Sequence, residues 1–145
     1  MATTAEQTTI EEMAARYGKA WNSQDLEAIL THHAEDGVFQ LHAGAEPVQG
    51  IEAVRATFAG ILAQWPDIHF EEQRLVTDSG GWLFAATMSG TLAQPLELAG
   101  AVIAEPGAKF AVDALDVIDV RDGLITAKHT YVDAVAMLQQ LGWKP

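Results

Sequence analysis

Hydrophobic residues recur at a helical period in the first half of the chain and at a strand period in the second half. Thr9 and Glu12 form a capping-box pattern that predicts the start of a helix with the apolar face Ile10, Met13, Ala14, Tyr17 and Trp21. Ser23 is the predicted N-cap of a second, short helix with the apolar face Leu26, Ile29, Leu30 and His33. A third helix is predicted to start near Gly50 and to stop at Pro66.

Alternation of apolar and polar residues predicts strands at residues 38–42, 70–77, 82–92, 101–104, 109–120 and 124–132. Gly and Pro residues mark the turns at 78–81, 105–108 and 121–123. A short final helix is predicted over residues 134–141. Helices followed by antiparallel strands predict an α+β domain, in which a curved sheet buries its apolar face against the helices.

Composition and charge limit the classes of partner. The chain has 145 residues, which fits one domain over residues 1–145 with a flexible start at residues 1–7. Because it contains no cysteine, disulfides and thiolate metal sites are excluded. Its formal net charge of −12 argues against nucleic acid and anionic membranes, which bind clustered Lys and Arg. We recognise no secretory signal and no apolar run of about 18 residues, and we expect a cytoplasmic protein.

The predicted strand at residues 109–120 places one carboxyl group on an apolar face. That face reads Val112, Ala114, Asp116, Ile118 and Val120, and the opposite face reads Asp113, Leu115, Val117, Asp119 and Arg121. An ionised Asp116 among apolar neighbours is costly unless it is protonated or richly hydrogen-bonded, which makes it a candidate functional residue. The alternatives are a register that puts the opposite face in the core, or a structural hydrogen bond without chemistry.

The last predicted strand carries a group of polar side chains on one face. That face reads Ile125, Ala127, His129, Tyr131 and Asp133, and the other reads Thr126, Lys128, Thr130 and Val132. The spacing of His129, Tyr131 and Asp133 allows them to meet one bound molecule, which predicts the polar end of a cavity suited to acid–base chemistry. The alternative is that Asp133 caps the final helix and that His129 is satisfied in the core.

Tyr17 and Trp21 lie one helical turn apart, so both can reach the same cavity. A buried Tyr17 needs a partner for its phenol, whereas Trp21 fits ordinary core packing. The five histidines have no metal-site spacing such as HExxH, and nucleotide-binding and acyl-serine motifs are lacking. We therefore predict no metal and no organic cofactor.

Several stretches of the chain occur in an order and spacing typical of one superfamily. They are YGKAWNSQDLEAIL at 17–30, HAEDGV at 33–38, GIEAVRATF at 50–58, WPD at 65–67, DVIDVRDG at 116–123 and YVD at 131–133. With them the chain resembles the SnoaL-like polyketide cyclases and ketosteroid isomerase-like proteins of the nuclear transport factor 2-like superfamily. The resemblance implies a cone of curved, mostly antiparallel sheet around the N-terminal helices, a pocket at its wide end, and a homodimer formed through the outer sheet face.

The resemblance also implies an oxyanion hole. Ketosteroid isomerases build theirs from a Tyr on the first helix, which Tyr17 matches, and a protonated Asp before the last hairpin. Two residues compete for the Asp position, because the local sequence selects Asp119 whereas the apolar face selects Asp116, which we favour. The isomerase base corresponds to Leu41, and this departure argues against steroid isomerisation itself.

A different carboxyl group matches the base of other relatives. In SnoaL-like cyclases and limonene epoxide hydrolase-like enzymes an acid–base Asp ends the last long strand, and Asp133 matches it. The epoxide hydrolases also need an Arg and a second Asp on the middle strand, where this chain has TMSG at 87–90. Epoxide opening is therefore disfavoured.

Our first functional hypothesis is a cofactor-free isomerase- or cyclase-like enzyme that acts on a small apolar carbonyl compound of polyketide, terpenoid or steroid-like kind. Asp133 would transfer the proton with the help of His129, while Tyr17 and Asp116 would donate hydrogen bonds to an oxyanion. The predicted binding walls are Trp21, Phe39, Leu41, Phe58, Met88 and Tyr131.

The second hypothesis is a non-catalytic small-molecule-binding or accessory dimeric module, because this fold hosts binding functions as readily as catalysis. A third is a purely structural homodimer whose outer strand face includes Leu115 and Val117. An open pocket on which Asp133, His129 and Tyr17 converge would favour the enzyme.

Overall fold

Four helices and eight strands make up the part of the chain that the computed structural model describes, residues 4–144. The helices are α1 (Thr4–Asn22), α2 (Leu26–Leu30), α3 (Ile51–Gln64) and α4 (Ala134–Gln140). The strands are β1 (His33–His42), β2 (Val48–Gln49), β3 (His69–Asp78), β4 (Gly81–Thr91), β5 (Leu96–Leu98), β6 (Ala101–Ala104), β7 (Lys109–Arg121) and β8 (Leu124–Val132).

The main sheet is curved and unclosed, and it contains one parallel pair of strands. Its six strands lie in the order β2–β1–β8–β7–β4–β3, in which β1 and β8 are parallel and the other neighbours are antiparallel. The short strands β5 and β6 form a separate hairpin. Buried side chains of α1, α2, α3 and the sheet form one apolar core, so the α+β cone predicted from the sequence is confirmed.

The first helix starts earlier than its capping pattern predicts. It begins at Thr4, so Thr9 and Glu12 lie inside it. The residues between Thr4 and Thr9 include Ala, Glu and Gln, which favour helix, so the helix extends past the capping box. Residues 1–3 of the predicted flexible start lie outside the described residues. The predicted apolar face of α1 is buried in the core.

The second helix differs from its prediction in its N-cap and in the residue at which it ends. Asp25, not Ser23, caps it, because the Asp25 side chain accepts a hydrogen bond from the Ala28 N–H at 3.1 Å. His33, predicted on the apolar face of this helix, is instead the first residue of β1. The third helix begins after Gly50, whose φ of 93° suits glycine, and ends before Pro66, as the sequence predicts.

The two long C-terminal strands differ in how regular their alternation is. In β7 every second residue from Phe110 to Ile118 is buried, so Asp116 faces inward and Asp119 is exposed. In β8 the register against β7 shifts between the pairs Asp119–Ala127 and Val120–Ile125. Thr126 therefore has no residue opposite it on β7. This bulge changes the inward face from odd to even residue numbers. The prediction that the odd-numbered residues of β8 face the cavity along its whole length was therefore wrong.

None of the helices within residues 4–144 is long and apolar enough to cross a membrane.

Candidate functional site

A cavity of about 300 Å³, the main cavity, lies between the main sheet, the β5–β6 hairpin and α4. Four of the predicted wall residues, Trp21, Phe39, Leu41 and Met88, line it. The other apolar lining residues are Ala43, Ile61, Trp65, Ile68, Phe70, Leu96, Leu98, Phe110, Val132, Ala134, Met137 and Leu138. Among the described residues, the polar side chains on this wall are Lys128 and Thr130, apart from the indole N–H groups of Trp21 and Trp65. The cavity thus suits an apolar molecule with a polar group at one point.

Two predicted wall residues lie elsewhere. Phe58 is fully buried, with its ring centroid 5.0 Å from that of Trp21 and 4.9 Å from that of Phe39, so it packs in the core and does not line the cavity. Tyr131 is 43% exposed and stacks on His42 at a centroid distance of 4.1 Å. The bulge in β8 explains its position. Tyr131 lies after the register shift, and its side chain therefore faces away from the core.

A buried ammonium group, that of Lys128, lies on the cavity wall. The residue is only 3% exposed, its Nζ is 3.7 Å from Asp116 Oδ2, and it donates a hydrogen bond to the Tyr17 hydroxyl at 3.2 Å. Nζ also lies 4.6 Å from the ring centroid of Trp21 and 4.8 Å from that of Tyr17. Burial by itself lowers the pKa of Lys128, but Asp116 and then Tyr17 outweigh it and raise that pKa above its ordinary value. Lys128 is therefore charged at neutral pH.

Asp116 is an acceptor in this group. The Thr130 hydroxyl donates to Asp116 Oδ1 at 2.6 Å, and Oδ2 faces the Lys128 ammonium. This arrangement differs from the sequence-based hypothesis, in which a protonated Asp116 donates to an oxyanion. The strongest donor at this position is instead the charged group of Lys128, which the sequence-based hypothesis did not include.

Tyr17 joins Lys128 to a buried histidine. Its hydroxyl lies 2.8 Å from His33 Nε2. Burial raises the pKa of the Tyr17 phenol, although the charge on Lys128 opposes this, so the phenol keeps its proton. Burial, then the charges of Lys128 and of His32, lower the pKa of His33 to about 3, so this imidazole is neutral at pH 7.

The hydrogen positions in this chain of contacts follow from its donors. Because Lys128 can only donate, the Tyr17 oxygen accepts from it, and the Tyr17 hydroxyl donates to His33 Nε2. The proton of the neutral His33 ring therefore sits on Nδ1. Within the part of the chain that the structure describes, this buried Nδ1 has no hydrogen-bond partner, and neither does Trp21 Nε1.

Asp133 and His129 do not join this group. Asp133 is exposed and caps α4, since its Oδ1 accepts from the Ala136 N–H at 3.1 Å. His129 Nδ1 lies 2.9 Å from His42 Nε2, and neither Asp133 nor His129 lines the cavity. The prediction that Asp133, His129 and Tyr17 meet in the pocket was wrong, because the bulge turns His129 away from it and the start of α4 engages Asp133.

Sequence reasoning missed Lys128, Thr130 and His33 as members of the site. A Gly in the sequence often marks a bulge, but residues 125–127 are ITA and contain neither Gly nor Pro. The one available signal was Lys128 itself, an isolated cation in a strand otherwise rich in apolar residues and Thr. In the region described by the structure, no cluster of three or more His, Cys, Asp or Glu side chains could hold a metal ion.

Comparison with known proteins identifies the fold and the family of the chain. The fold is the cone of the nuclear transport factor 2-like proteins. Residues 14–128 match the model of the SnoaL-like domain, and the chain therefore belongs to the SnoaL-like domain family. No curated protein matches the chain.

Solved structures from several bacteria share the fold. Wild-type IdmH of Streptomyces antibioticus, a candidate polyketide cyclase, is 29% identical with a TM-score of 0.72, covering 92% of this chain and 98% of that one. A candidate polyketide cyclase of Xanthomonas campestris is 17% identical with a TM-score of 0.83 and coverages of 94% and 98%. A candidate SnoaL-like polyketide cyclase of a Jannaschia species is 17% identical with a TM-score of 0.82 and coverages of 100% and 99%. At 17% identity the likeness concerns the fold alone.

Proposed function

We propose that the protein binds a small, largely apolar carbonyl compound in the cavity and catalyses cofactor-free acid–base chemistry of the isomerase or cyclase type. The observation that carries this proposal is the charged, buried Lys128 on the wall of an otherwise apolar cavity. Membership in the SnoaL-like domain family and the similarity to IdmH, a candidate polyketide cyclase, support it. The apolar walls favour a polyketide, terpenoid or steroid-like skeleton.

In this proposal Lys128 stabilises the negative charge that develops on the carbonyl oxygen. An ammonium group in apolar surroundings acts more strongly on a bound oxygen than one in water, because the local dielectric is low. A positioned donor of this kind commonly contributes about 3 kcal/mol to the transition state. Asp116 and Tyr17 keep the ammonium charged and in place.

The base in this proposal is Asp116, which acts through Thr130. A C–H bond next to the carbonyl breaks, and in one concerted step its proton passes to the Thr130 oxygen while the Thr130 hydroxyl proton passes to Asp116 Oδ1 at 2.6 Å. The electron pair moves onto the carbonyl oxygen and forms an enolate beside Lys128. An isomerase returns the proton to another carbon. A cyclase lets the enolate carbon attack a second carbonyl group, whose oxygen then takes the proton back from Asp116 through Thr130.

This assignment is tested by deuterium exchange next to the carbonyl group of tetralone and decalone in D₂O, followed by NMR. We expect the wild type to accelerate the exchange, Thr130→Val to slow it, and Lys128→Met to abolish it. Lys109→Met is the matched control, because Lys109 is an exposed lysine of β7. Equal exchange rates for Lys128→Met and the wild type would contradict the proposal.

A non-catalytic binding module is the second candidate, and one observation favours it. Of the described residues, no carboxylate or imidazole lines the main cavity directly, since Asp116 reaches it only through Thr130. A binding module would retain tetralone, detected by line broadening of its NMR signals, without accelerating deuterium exchange.

We also propose that the protein forms a homodimer through the outer face of its sheet, in the cytoplasm. Apolar side chains on outward positions of three adjacent strands support this: Val76 of β3 and Leu83 of β4 are each 43% exposed, and Leu115 of β7 is 38% exposed. Such side chains in adjacent strands form a patch that a second copy could cover.

A further inference from the structure

A small void of about 20 Å³ adjoins the main cavity at Lys128. Three polar side chains, those of Tyr17, Asp116 and Lys128, line it. The rest of its lining is largely apolar and includes Ala14 of α1. A space of this size with several polar partners meets the requirements for one bound water, which needs about 10–15 Å³ and two to four partners.

The ion pair between Lys128 and Asp116 has a distance that suits a bridge. An ammonium group carries three donors, and the bond to the Tyr17 oxygen uses one of them. Nζ and Asp116 Oδ2 are 3.7 Å apart, which is beyond the usual range of a direct N–H···O bond. Polar groups separated by more than about 3.5 Å are commonly joined through a water molecule.

We propose that this void binds a single water molecule that bridges Lys128 Nζ and Asp116 Oδ2 and contacts the Tyr17 hydroxyl. The water replaces one long ion-pair contact by two hydrogen bonds. It also provides a buried ammonium and a buried carboxylate with part of the hydration that burial removes.

The consequence for the main cavity rests on the proposed function. The water acts as a spacer that keeps Lys128 Nζ at the cavity wall. Without it, the ammonium and the carboxylate close to direct contact, and Nζ moves away from the position of a bound carbonyl oxygen. The bridging water therefore positions Lys128 and does not itself react.

A high-resolution crystal structure of the wild-type protein tests the water site directly. We expect one ordered water within about 2.7–3.2 Å of both Lys128 Nζ and Asp116 Oδ2. In solution, the ¹⁵N-labelled ammonium group of Lys128 should show magnetisation transfer to a long-lived water. A direct Lys128–Asp116 hydrogen bond with no water between them would overturn the proposal.

A pair of variants tests the void by filling it. Ala14→Val adds two methyl groups to a residue that lines the void, whereas Ala15→Val makes the same change at an exposed neighbour on α1. We expect Ala14→Val to lose the water signal and to slow ketone exchange several-fold, and Ala15→Val to keep both. Retention of the water signal in Ala14→Val would place the water elsewhere and overturn the assignment.

The water site and the proposed function fail in different ways. If the wild-type crystal contains the bridging water but tetralone and decalone do not exchange, the proposed function fails and the water site stands. If ketone exchange depends on Lys128 but the void holds no water, the water site fails and the proposed function stands. The wild-type crystal structure tests the water site even if Ala14→Val does not fold.

Discussion

The strand β8 supplies polar groups to both faces of the sheet, and the two groups differ in their surroundings. On the inner face, Lys128 and Thr130 are buried and bound to Tyr17 and Asp116. On the outer face, His129 is hydrogen-bonded to the partly exposed His42. Electrostatic interactions strengthen as water is excluded, so the inner group can act on a bound molecule far more strongly than the outer group can. A cluster of polar residues in the sequence therefore indicates function only once its burial is known.

The largest expected effect comes from removing the inner cation. Lys128→Met leaves Asp116 buried without its charged partner, and we expect a loss of about 3–5 kcal/mol in the free energy of unfolding. Urea denaturation measures this, and the exposed Lys109→Met serves as the control. The double variant Lys128→Met/Asp116→Leu should recover much of the loss, because it removes both charges. A single-variant cost below about 1 kcal/mol would mean that the pair is not buried in solution.

The next effect is the acid sensitivity that His33 causes. The pKa of His33 is lowered from 6.5 to about 3 by burial, so the unfolded chain binds this proton between those pH values and the folded chain does not. Stability therefore falls as the pH falls through that range, by about 1.4 kcal/mol per pH unit at the steepest.

Urea unfolding at pH 7 and pH 5 measures this contribution as a difference between variants. Between these pH values, His33→Asn should lose about 2 kcal/mol less stability than the wild type. His129→Asn, on the outer face, should retain the His33 contribution. Equal pH dependence of His33→Asn and the wild type would contradict the neutral, buried state of His33.

A smaller effect is expected at Asp133. Asp133→Ala removes the cap of α4 and should cost about 1 kcal/mol of stability, whereas Asp133→Asn retains a capping side chain and should cost little. Neither change should alter ketone exchange by more than a few-fold, in contrast to Asp116→Asn, which should nearly abolish it. Loss of exchange in Asp133→Asn with stability intact would restore Asp133 as the proton-transfer group.

The smallest change in folding stability is expected on the outer sheet face. Leu115→Lys adds charge to the exposed patch and should shift the protein from dimer to monomer in light scattering. Deuterium exchange of tetralone and decalone, which depends on Lys128, should persist. Val135→Lys is the control, because Val135 is exposed on α4 and not on the sheet. An unchanged mass for Leu115→Lys would remove this face as the dimer interface.

Local patterns were sufficient for the longer helices and strands and for one strand face. The alternation of β7 placed Asp116 inside, and the helical spacing of α1 placed Tyr17 and Trp21 in the core, as the structure has them. Both patterns are properties of a continuous segment, since side-chain direction follows from the period of the helix or strand. β2 and β5, with two and three residues, are too short for such a pattern to appear.

The membership of the candidate site was decided by tertiary structure. The bulge at Thr126 arises only when β8 pairs with β7, and it exchanged His129 and Tyr131 for Lys128 and Thr130 on the inner face. Tyr17 meets Lys128 across 111 positions of the chain. By itself the sequence determined the α+β class, because the periods of helices and strands are local, and its resemblance to a known family implied the cone. Pairing between distant segments determined which polar groups are buried together, because a shift of one residue reverses the face of a strand.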